Sequence, residues 1–194
     1  MAGDPARQIE RNSVEAEAAY ENAPAGLRAE LLHGVVCMVP APAPRHQLRV
    51  GRLFRRLSPY DRIDHGPRDP GGWVFILEPE LHLGERPEKV KPDIAGWREK
   101  RATFDSVTPA ITIAPDWVCE VLSPSTETID RGTKAPLYAE QGVEWLWLVD
   151  PAGGSVEVFR NERGAFRSVR THRAGDGVAL PPFELATLAR LFED

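Results

Sequence analysis

Cysteine and long apolar runs are scarce in this sequence, and each scarcity excludes a class of protein. Cys37 and Cys119 are its two cysteines, and both stand in apolar, strand-like runs. We therefore expect two reduced core residues, and no cysteine–histidine cluster has the spacing of a zinc site. No apolar run approaches the ~18 residues that a membrane span requires. Residues 1–21 are polar and lack the apolar core of a signal peptide, which predicts a cytoplasmic protein without membrane association.

Positive charge is not in excess either. The net charge of −5 excludes a generally basic nucleic-acid-binding protein, so any contact with nucleic acid would need a local basic patch. No glycine-rich loop follows a predicted strand, and nothing indicates a P-loop or a dinucleotide-binding fold. A chain of 194 residues with 42% hydrophobic and 27% charged residues is typical of one globular domain with a core of its own.

The sequence does contain alternating strand-like and helix-like segments. Predicted strands cover residues 28–39 (a pair turning at Gly34), 72–83 (with a bend or sheet edge at Pro79), 91–98, 116–122, 144–151, 155–160 and 165–170. Predicted helices cover 46–60 and 125–142, and 183–192 is a closing apolar segment. A mixed central β-sheet flanked by helices buries these segments best, which predicts the α/β class.

The chain divides into a short extension and one domain. Residues 1–24 form a polar N-terminal extension rich in alanine and glutamate, in which Ser13 is a candidate N-cap for a short helix over 14–22. Residues 25–194 are predicted to form a single domain. The helix at 125–142 is expected to begin at Ser125 or Thr126 and to end at Gly142.

Glu120 is the most unusual residue of the predicted strands. It stands in the middle of the apolar run 116–122, and a buried carboxylate is costly unless it is paired, hydrogen-bonded or bound to a metal. A second acid, Asp93, precedes another strand directly after Lys91 and Pro92. The plain alternatives are a structural salt bridge for Glu120 and a turn position for Asp93.

A candidate counter-charge lies on the helix that follows the Glu120 strand. Asp130, Lys134 and Tyr138 are four residues apart and share one helix face, while Pro136 predicts a kink nearby. If this helix folds back over the sheet, it brings Lys134 to the carboxylates. The alternative is a solvated pair between Asp130 and Lys134.

Two carboxylates and a lysine are typical of metal-assisted phosphodiester hydrolysis. Hard oxygen ligands hold Mg²⁺ with several waters retained, and the ion lowers the pKa of a bound water. A nearby ammonium orients that water and offsets the charge that develops on the phosphate. The residues thus predict a nuclease-type site built on Asp93, Glu120 and Lys134.

Four stretches of the sequence form a distinctive set: "LRAELLHGVVCMVPAPAPRHQ" at 27–47, "KPDIAGW" at 91–97, "APDWVCEVLSPST" at 114–126 and "DRGTKAPLYAEQGVEWLWLVDP" at 130–151. They closely resemble the Uma2 (DUF820) family, a branch of the PD-(D/E)XK, or restriction-endonuclease-like, superfamily. The resemblance covers roughly residues 13–190. It implies a metal-dependent endonuclease that acts on DNA, with Mg²⁺ or Mn²⁺ as its cofactor, and a homodimer whose two sites meet opposite strands.

The resemblance also implies roles for individual residues. Asp93 matches the aspartate of the "PD" element, and Glu120 matches the acid of the "(D/E)XK" element. Leu122 stands where the superfamily has its lysine, so Lys134 on the following helix is the match. Glu30 matches an acid that can complete the metal site, and a surface position in the strand is the alternative reading for it.

Helix 46–60 and the residues just before it carry a basic ridge. Arg55 lies alongside four arginines that share one face at helical spacing: Arg45, Arg49, Arg52 and Arg56. They are the candidate contacts to the nucleic-acid backbone, with a solvated helix face as the alternative. His46, at the start of the helix, is a candidate substrate contact or helix cap.

Two other functions compete with the nuclease. A binding module that keeps the fold without cutting nucleic acid is compatible with the displaced lysine and the acidic net charge. A glycosidase that uses the two carboxylates as its acid and its nucleophile or base gives Lys134 no role and lacks an aromatic sugar platform, so we rank it last.

Overall fold

The strands form two sheets in a computed structural model of the chain, which describes residues 14–62, 70–85, 88–104, 108–173, 176 and 179–183. The strands are β1 (Leu27–Leu32), β2 (Val35–Pro40), β3 (Trp73–Leu77), β4 (Leu81–Leu83), β5 (Glu88–Val90), β6 (Ile94–Arg98), β7 (Trp117–Val121), β8 (Trp145–Asp150), β9 (Ser155–Glu162) and β10 (Ala165–Arg173). The helices are α1 (Val14–Glu21), α2 (Pro44–Arg56), α3 (Glu127–Ile129) and α4 (Ala135–Glu140). One π-helical turn (Asp130–Lys134) joins α3 to α4, and 3₁₀ turns lie at Ser58–Tyr60 and Glu99–Arg101.

The larger sheet has six strands in the order β10-β9-β8-β7-β6-β3. Only β7 and β8 pair in parallel among these described strands, and the other neighbours pair antiparallel. The sheet is therefore mixed, and helices lie on its faces, which confirms the predicted α/β class. A second sheet of four short strands, in the order β2-β1-β5-β4, was not predicted as a separate unit.

Strand β7 lies in the middle of the larger sheet and is buried on both faces. Trp117, Cys119 and Val121 pack into a core that includes Val50 and Leu53 of α2. Val118 packs into a second core that the smaller sheet and α4 complete, and side chains alternate along a strand, so Glu120 points to that same side. This explains why the run 116–122 shows no solvent-facing alternation.

The predicted hairpin and first long helix are confirmed, and one predicted strand is corrected. β1 and β2 pair antiparallel around His33 and Gly34, both with positive φ, as a tight hairpin turn requires. The segment 72–83, predicted as one bent strand, is two strands that belong to different sheets. The chain breaks between them at Glu78, which has a φ of 44°, and at Pro79, which has no N–H for a sheet ladder.

The predicted helix at 125–142 is interrupted by its π-helical turn. The Ala135 N–H reaches back five residues to the Asp130 carbonyl, and Pro136 sits in the first turn of α4, where its missing N–H costs nothing. Thr126 occupies the N-cap position, but its side chain makes no capping hydrogen bond. The helix ends before Gly142, whose φ of 83° favours glycine, as predicted.

The start of the chain contributes to the fold of the smaller sheet. Helix α1 buries Ala16 against β1 and β2, in a cluster with Ala29, Leu31 and Val36. The predicted cap Ser13 and most of the predicted closing segment at 183–192 lie outside the described residues. No helix in the described part of the chain is long and apolar enough to cross a membrane.

Candidate active site

Lys134 lies at the centre of a buried cluster of carboxylates. Its Nζ is 2.7 Å from Glu120 Oε1, 3.3 Å from Glu30 Oε1 and 3.5 Å from Asp130 Oδ1. It also donates to the Lys91 carbonyl at 3.4 Å. The Lys134 side chain is only 1% exposed, so these contacts are screened little by solvent. The predicted approach of Lys134 to the carboxylates is therefore what the structure shows.

The helix segment 127–140 supplies three polar groups to this cluster from one face. Asp130, Lys134 and Tyr138 are all buried there, and the Tyr138 hydroxyl donates to Glu120 Oε1 at 2.7 Å. Glu120 Oε1 thus receives both an ammonium and a phenol donor. These two donors offset the free-energy cost of burying a carboxylate inside an apolar strand.

Asp93 is joined to Glu120 through the backbone of the two strands. The Val121 N–H donates to Asp93 Oδ2 at 2.7 Å, and the Asp93 N–H approaches Glu120 Oε2 at 3.3 Å. β6 and β7 pair antiparallel directly beside these contacts, and this pairing fixes the two acids next to each other. Asp93 Oδ1 lies 3.0 Å from Nε2 of His46, which enters from the first turn of α2.

The electrostatics of the cluster reflect its excess of acid. The pKa of Glu120 is raised, first by burial and then by three neighbouring carboxylates, while the Lys134 ammonium opposes this shift. Burial alone would lower the pKa of Lys134, but the attraction of Glu120 and two further carboxylates outweighs it, and the net shift is upward. A further positive charge at this site would favour the ionised form of Glu120.

The pKa values of His46 and Asp130 are both raised as well. Burial lowers the pKa of His46, but its hydrogen bond with Asp93 and the attraction of the Asp93 and Asp130 charges together outweigh burial, and the net shift is upward. Burial raises the pKa of Asp130, against the opposing attraction of Lys134. His46 therefore contacts Asp93 and does not cap α2, whose N-cap residue is Ala43.

A cavity of about 170 Å³ opens directly on Asp93 and Glu120. It is also lined by Arg28, by His46, by Asp130 and by the hydroxyl residues Ser123, Ser125 and Thr126. Lys134 and Glu30 are absent from this lining. Glu30 Oε1 accepts a hydrogen bond from the Lys91 N–H at 2.9 Å and forms an ion pair with Lys134. Of the predicted catalytic and metal-binding residues, Asp93 and Glu120 reach the cavity, while Lys134 and Glu30 lie behind it.

The side chains at the cavity determine whether it can hold the Mg²⁺ that the sequence predicts. Within the described residues, no three His, Cys, Asp or Glu side chains are grouped as a protein-only metal site would group them. Mg²⁺, however, is usually bound through one or two carboxylates together with waters and substrate phosphates. Two adjacent carboxylates on one cavity, in a cluster with more acid than base, fit such an ion.

The predicted basic ridge begins at this cavity. Ala43 and His46, at the start of α2, line the cavity, and the ridge runs from there along the helix. Its side chains are exposed or half-buried: Arg45, Arg49, Arg52, Arg55 and Arg56. The ridge and the two acids are thus connected on the surface of the molecule.

Asp130, Tyr138 and Arg28 belong to the site but were not among the predicted site residues. Tyr138 had a visible signal, its spacing of four from Lys134, but its bond to Glu120 depends on how the helix folds back. Arg28 stands two residues before Glu30 on β1, so alternation places both side chains on one face of the sheet. That spacing was the signal available for Arg28.

A mixed sheet with one carboxylate inside a strand, a second directly before the neighbouring strand and a buried lysine behind their cavity has the architecture of a restriction-endonuclease-like α/β protein. Residues 15–190 match the Uma2 family, whose description is "Putative restriction endonuclease". The chain therefore belongs to the Uma2 family, which confirms the resemblance seen in the sequence.

A solved structure shares the fold. The crystal structure of a protein from Anabaena variabilis, described as "a putative nuclease belonging to DUF820", superposes with a TM-score of 0.65. The two are 20% identical, and the match covers 85% of this chain and 89% of the other. No curated protein matches this chain.

Proposed function

We propose that this chain is a metal-dependent endonuclease that hydrolyses phosphodiester bonds of DNA, with Asp93 and Glu120 holding Mg²⁺ or Mn²⁺. The observation that carries the proposal is that these two acids, 27 residues apart, open on one cavity and are joined by backbone hydrogen bonds, from the Asp93 N–H to Glu120 and from the Val121 N–H to Asp93. A bound Mg²⁺ would polarise the phosphate and lower the pKa of a bound water.

The remaining residues of the cluster position the two acids. The Lys134 ammonium and the Tyr138 hydroxyl hold Glu120 Oε1 and leave Oε2 toward Asp93. Glu30 and Asp130 hold the ammonium in turn. The predicted role of Lys134, orienting the water or the phosphate, stays a prediction, because its contacts in this structure support the positioning of Glu120.

The test is cleavage of supercoiled plasmid by purified protein with Mg²⁺ or Mn²⁺. The isosteric variants Asp93→Asn and Glu120→Gln should lose cleavage, because each removes a charged ligand without changing side-chain shape. Glu144→Gln is the control, since the Glu144 side chain is half-exposed and its ionic partner within the described part of the chain is Arg160, at 3.7 Å. Cutting that survives in Glu120→Gln would overturn the site assignment.

The second candidate is a nucleic-acid-binding module that does not cut. The observation that favours it is that Lys134 is fully engaged by carboxylates and does not line the cavity. Binding of a labelled duplex without cleavage of duplex DNA, single-stranded DNA or RNA under any divalent-ion condition would select it over the nuclease. A homodimer is part of the nuclease proposal, and light scattering of the purified protein tests it.

A further inference from the structure

Arg28 is a cation that lines the cavity and has no assigned role. It lies on β1, its side chain is 18% exposed, and it shares the cavity wall with Asp93 and Glu120. Lys134, the cation predicted to meet substrate, is buried behind Glu120. Among the lysines and arginines of the described residues, Arg28 is the one that lines this cavity.

The guanidinium of Arg28 has unused donors. Its Nε and Nη1 are buried, and neither makes a hydrogen bond to any described residue. Its nearest ionic partner is Glu78, whose Oε1 lies 3.5 Å from Nη1 on a half-exposed turn. Buried polar groups in proteins are almost always hydrogen-bonded, so two buried donors without a hydrogen bond at a cavity indicate a ligand that is not part of the chain.

The chemistry of the side chain limits what that ligand is. A guanidinium stays charged at every physiological pH and presents its N–H groups in a planar fork that matches the oxygens of a phosphate. Its own positive charge excludes a second cation as its partner. The acids around it make a cationic anchor necessary for any anion that enters the cavity.

We infer that Arg28 binds a phosphate of the substrate, next to the two acids. This inference rests on the proposed function, since it assigns the phosphate contact of that same site. Arg28 then makes the phosphate contact in the cavity that the sequence led us to expect of Lys134. Lys134 acts by positioning Glu120. The competing role for Arg28 is structural, a link between β1 and the turn that carries Glu78.

The experiment compares Arg28→Lys and Arg28→Ala with wild type in single-turnover cleavage of a labelled duplex. Arg28→Lys keeps the charge and loses the fork, and we expect cleavage to fall by about a hundredfold, as for the loss of one oriented donor in an active site. Arg160→Lys is the control, because Arg160 is an exposed strand arginine with a carboxylate 3.7 Å away. Thermal unfolding of each variant monitors the fold.

Chemical rescue separates a phosphate contact from a structural link. Guanidinium chloride, well below denaturing concentrations, should restore part of the cleavage by Arg28→Ala, whereas sodium chloride at equal ionic strength should not. A structural Arg28 predicts lower thermal stability in Arg28→Lys with wild-type cleavage by the folded fraction. That result would overturn the inference and leave the proposed function intact.

Failure of the proposed function and failure of the Arg28 inference would give different experimental results. Wild type that neither binds nor cuts DNA or RNA would overturn the proposed function, and the role of Arg28 would fall with it. Wild type that cuts while Arg28→Lys cuts equally well would overturn Arg28 alone. If Arg28→Ala does not fold, Arg28→Lys decides the question.

Discussion

The Lys134 ammonium lies 2.7 Å from Glu120 Oε1, and both side chains are almost completely buried. Tyr138 donates to the same oxygen from one helical turn further along. A buried charge that loses its partner cannot recover its interaction with water, so each member of this pair depends on the other. Their mutual dependence makes the pair a test of stability as well as of activity.

Replacing Lys134 by Met should destabilise the protein and abolish cleavage. The change leaves three carboxylates facing one another without their common cation, at a cost of about 3–5 kcal/mol in the free energy of unfolding. Glu120→Gln removes one of those charges, so the double variant should be less destabilised than the sum of the single changes. Urea unfolding followed by tryptophan fluorescence measures all four proteins, with exposed Lys100→Met as control.

Additive effects in this cycle would contradict the coupling. Additivity is expected only for sites without shared partners, so it would mean that the two side chains do not meet in solution as they do here. Cleavage restored in the double variant is not expected, because Glu120 is itself proposed as a metal ligand.

Divalent-ion binding should distinguish Asp93 from Glu30. Asp93 lines the cavity, whereas Glu30 does not and is held by the Lys91 N–H and by Lys134. Asp93→Asn should therefore lose Mn²⁺ binding in isothermal titration calorimetry. Glu30→Gln should keep most of the affinity and lower the free energy of unfolding. Loss of Mn²⁺ binding in Glu30→Gln at unchanged stability would return Glu30 to the set of metal ligands predicted from the sequence.

The sequence predicted the parts of this structure that depend on local pattern. Apolar strands, one amphipathic helix and the spacing of Asp130, Lys134 and Tyr138 were sufficient for the class and for the approach of Lys134 to the acids. The smaller sheet was missed as a unit because β4 and β5 have three residues each, too few for a period to be recognised. The cavity position of Arg28 was missed because it depends on how β1 meets β6 and β7, which no local pattern specifies.

Glu80 should make stability depend on acid pH. It links α1 to the smaller sheet through three donors: Tyr20 at 2.8 Å, His82 at 2.9 Å and Lys91 at 2.9 Å. Partial burial by itself would raise the pKa of Glu80, but these hydrogen bonds outweigh it and lower the pKa from 4.5 to about 2. Because the folded-state pKa is the lower one, the stabilisation is complete above 4.5 and is lost as the pH falls toward 2.

Glu80→Gln should accordingly be less stable than wild type at neutral pH and equal to it in strong acid. The carboxylate is partly exposed and therefore screened, so the difference is on the order of 1 kcal/mol or less. Urea unfolding across the acid range measures it, with exposed Glu99→Gln as control. A difference that persists undiminished in strong acid would show that packing, not charge, ties α1 to the sheet.

The basic ridge on α2 should contribute to DNA binding through charge alone. It begins at the cavity, so a duplex whose phosphate enters the cavity would continue along the helix. Removing one arginine that neutralises a phosphate lowers the slope of log affinity against log salt by about 0.9, so Arg49→Gln with Arg56→Gln should lower it by about 2. Fluorescence anisotropy with a labelled duplex over a range of KCl concentrations measures this slope.

The control for the ridge is a second pair of arginines that changes the net charge equally. Arg163 and Arg167 are exposed on the β9–β10 hairpin and do not line the cavity. Replacing both by Gln should leave the salt slope unchanged if the phosphate contacts are local to α2. An equal fall of the salt slope in both double variants would mean that the overall charge of the protein attracts the duplex. The ridge would then lose its assignment as the site of phosphate contacts. Cleavage at saturating DNA should stay at the wild-type rate in both, because neither pair touches the two acids.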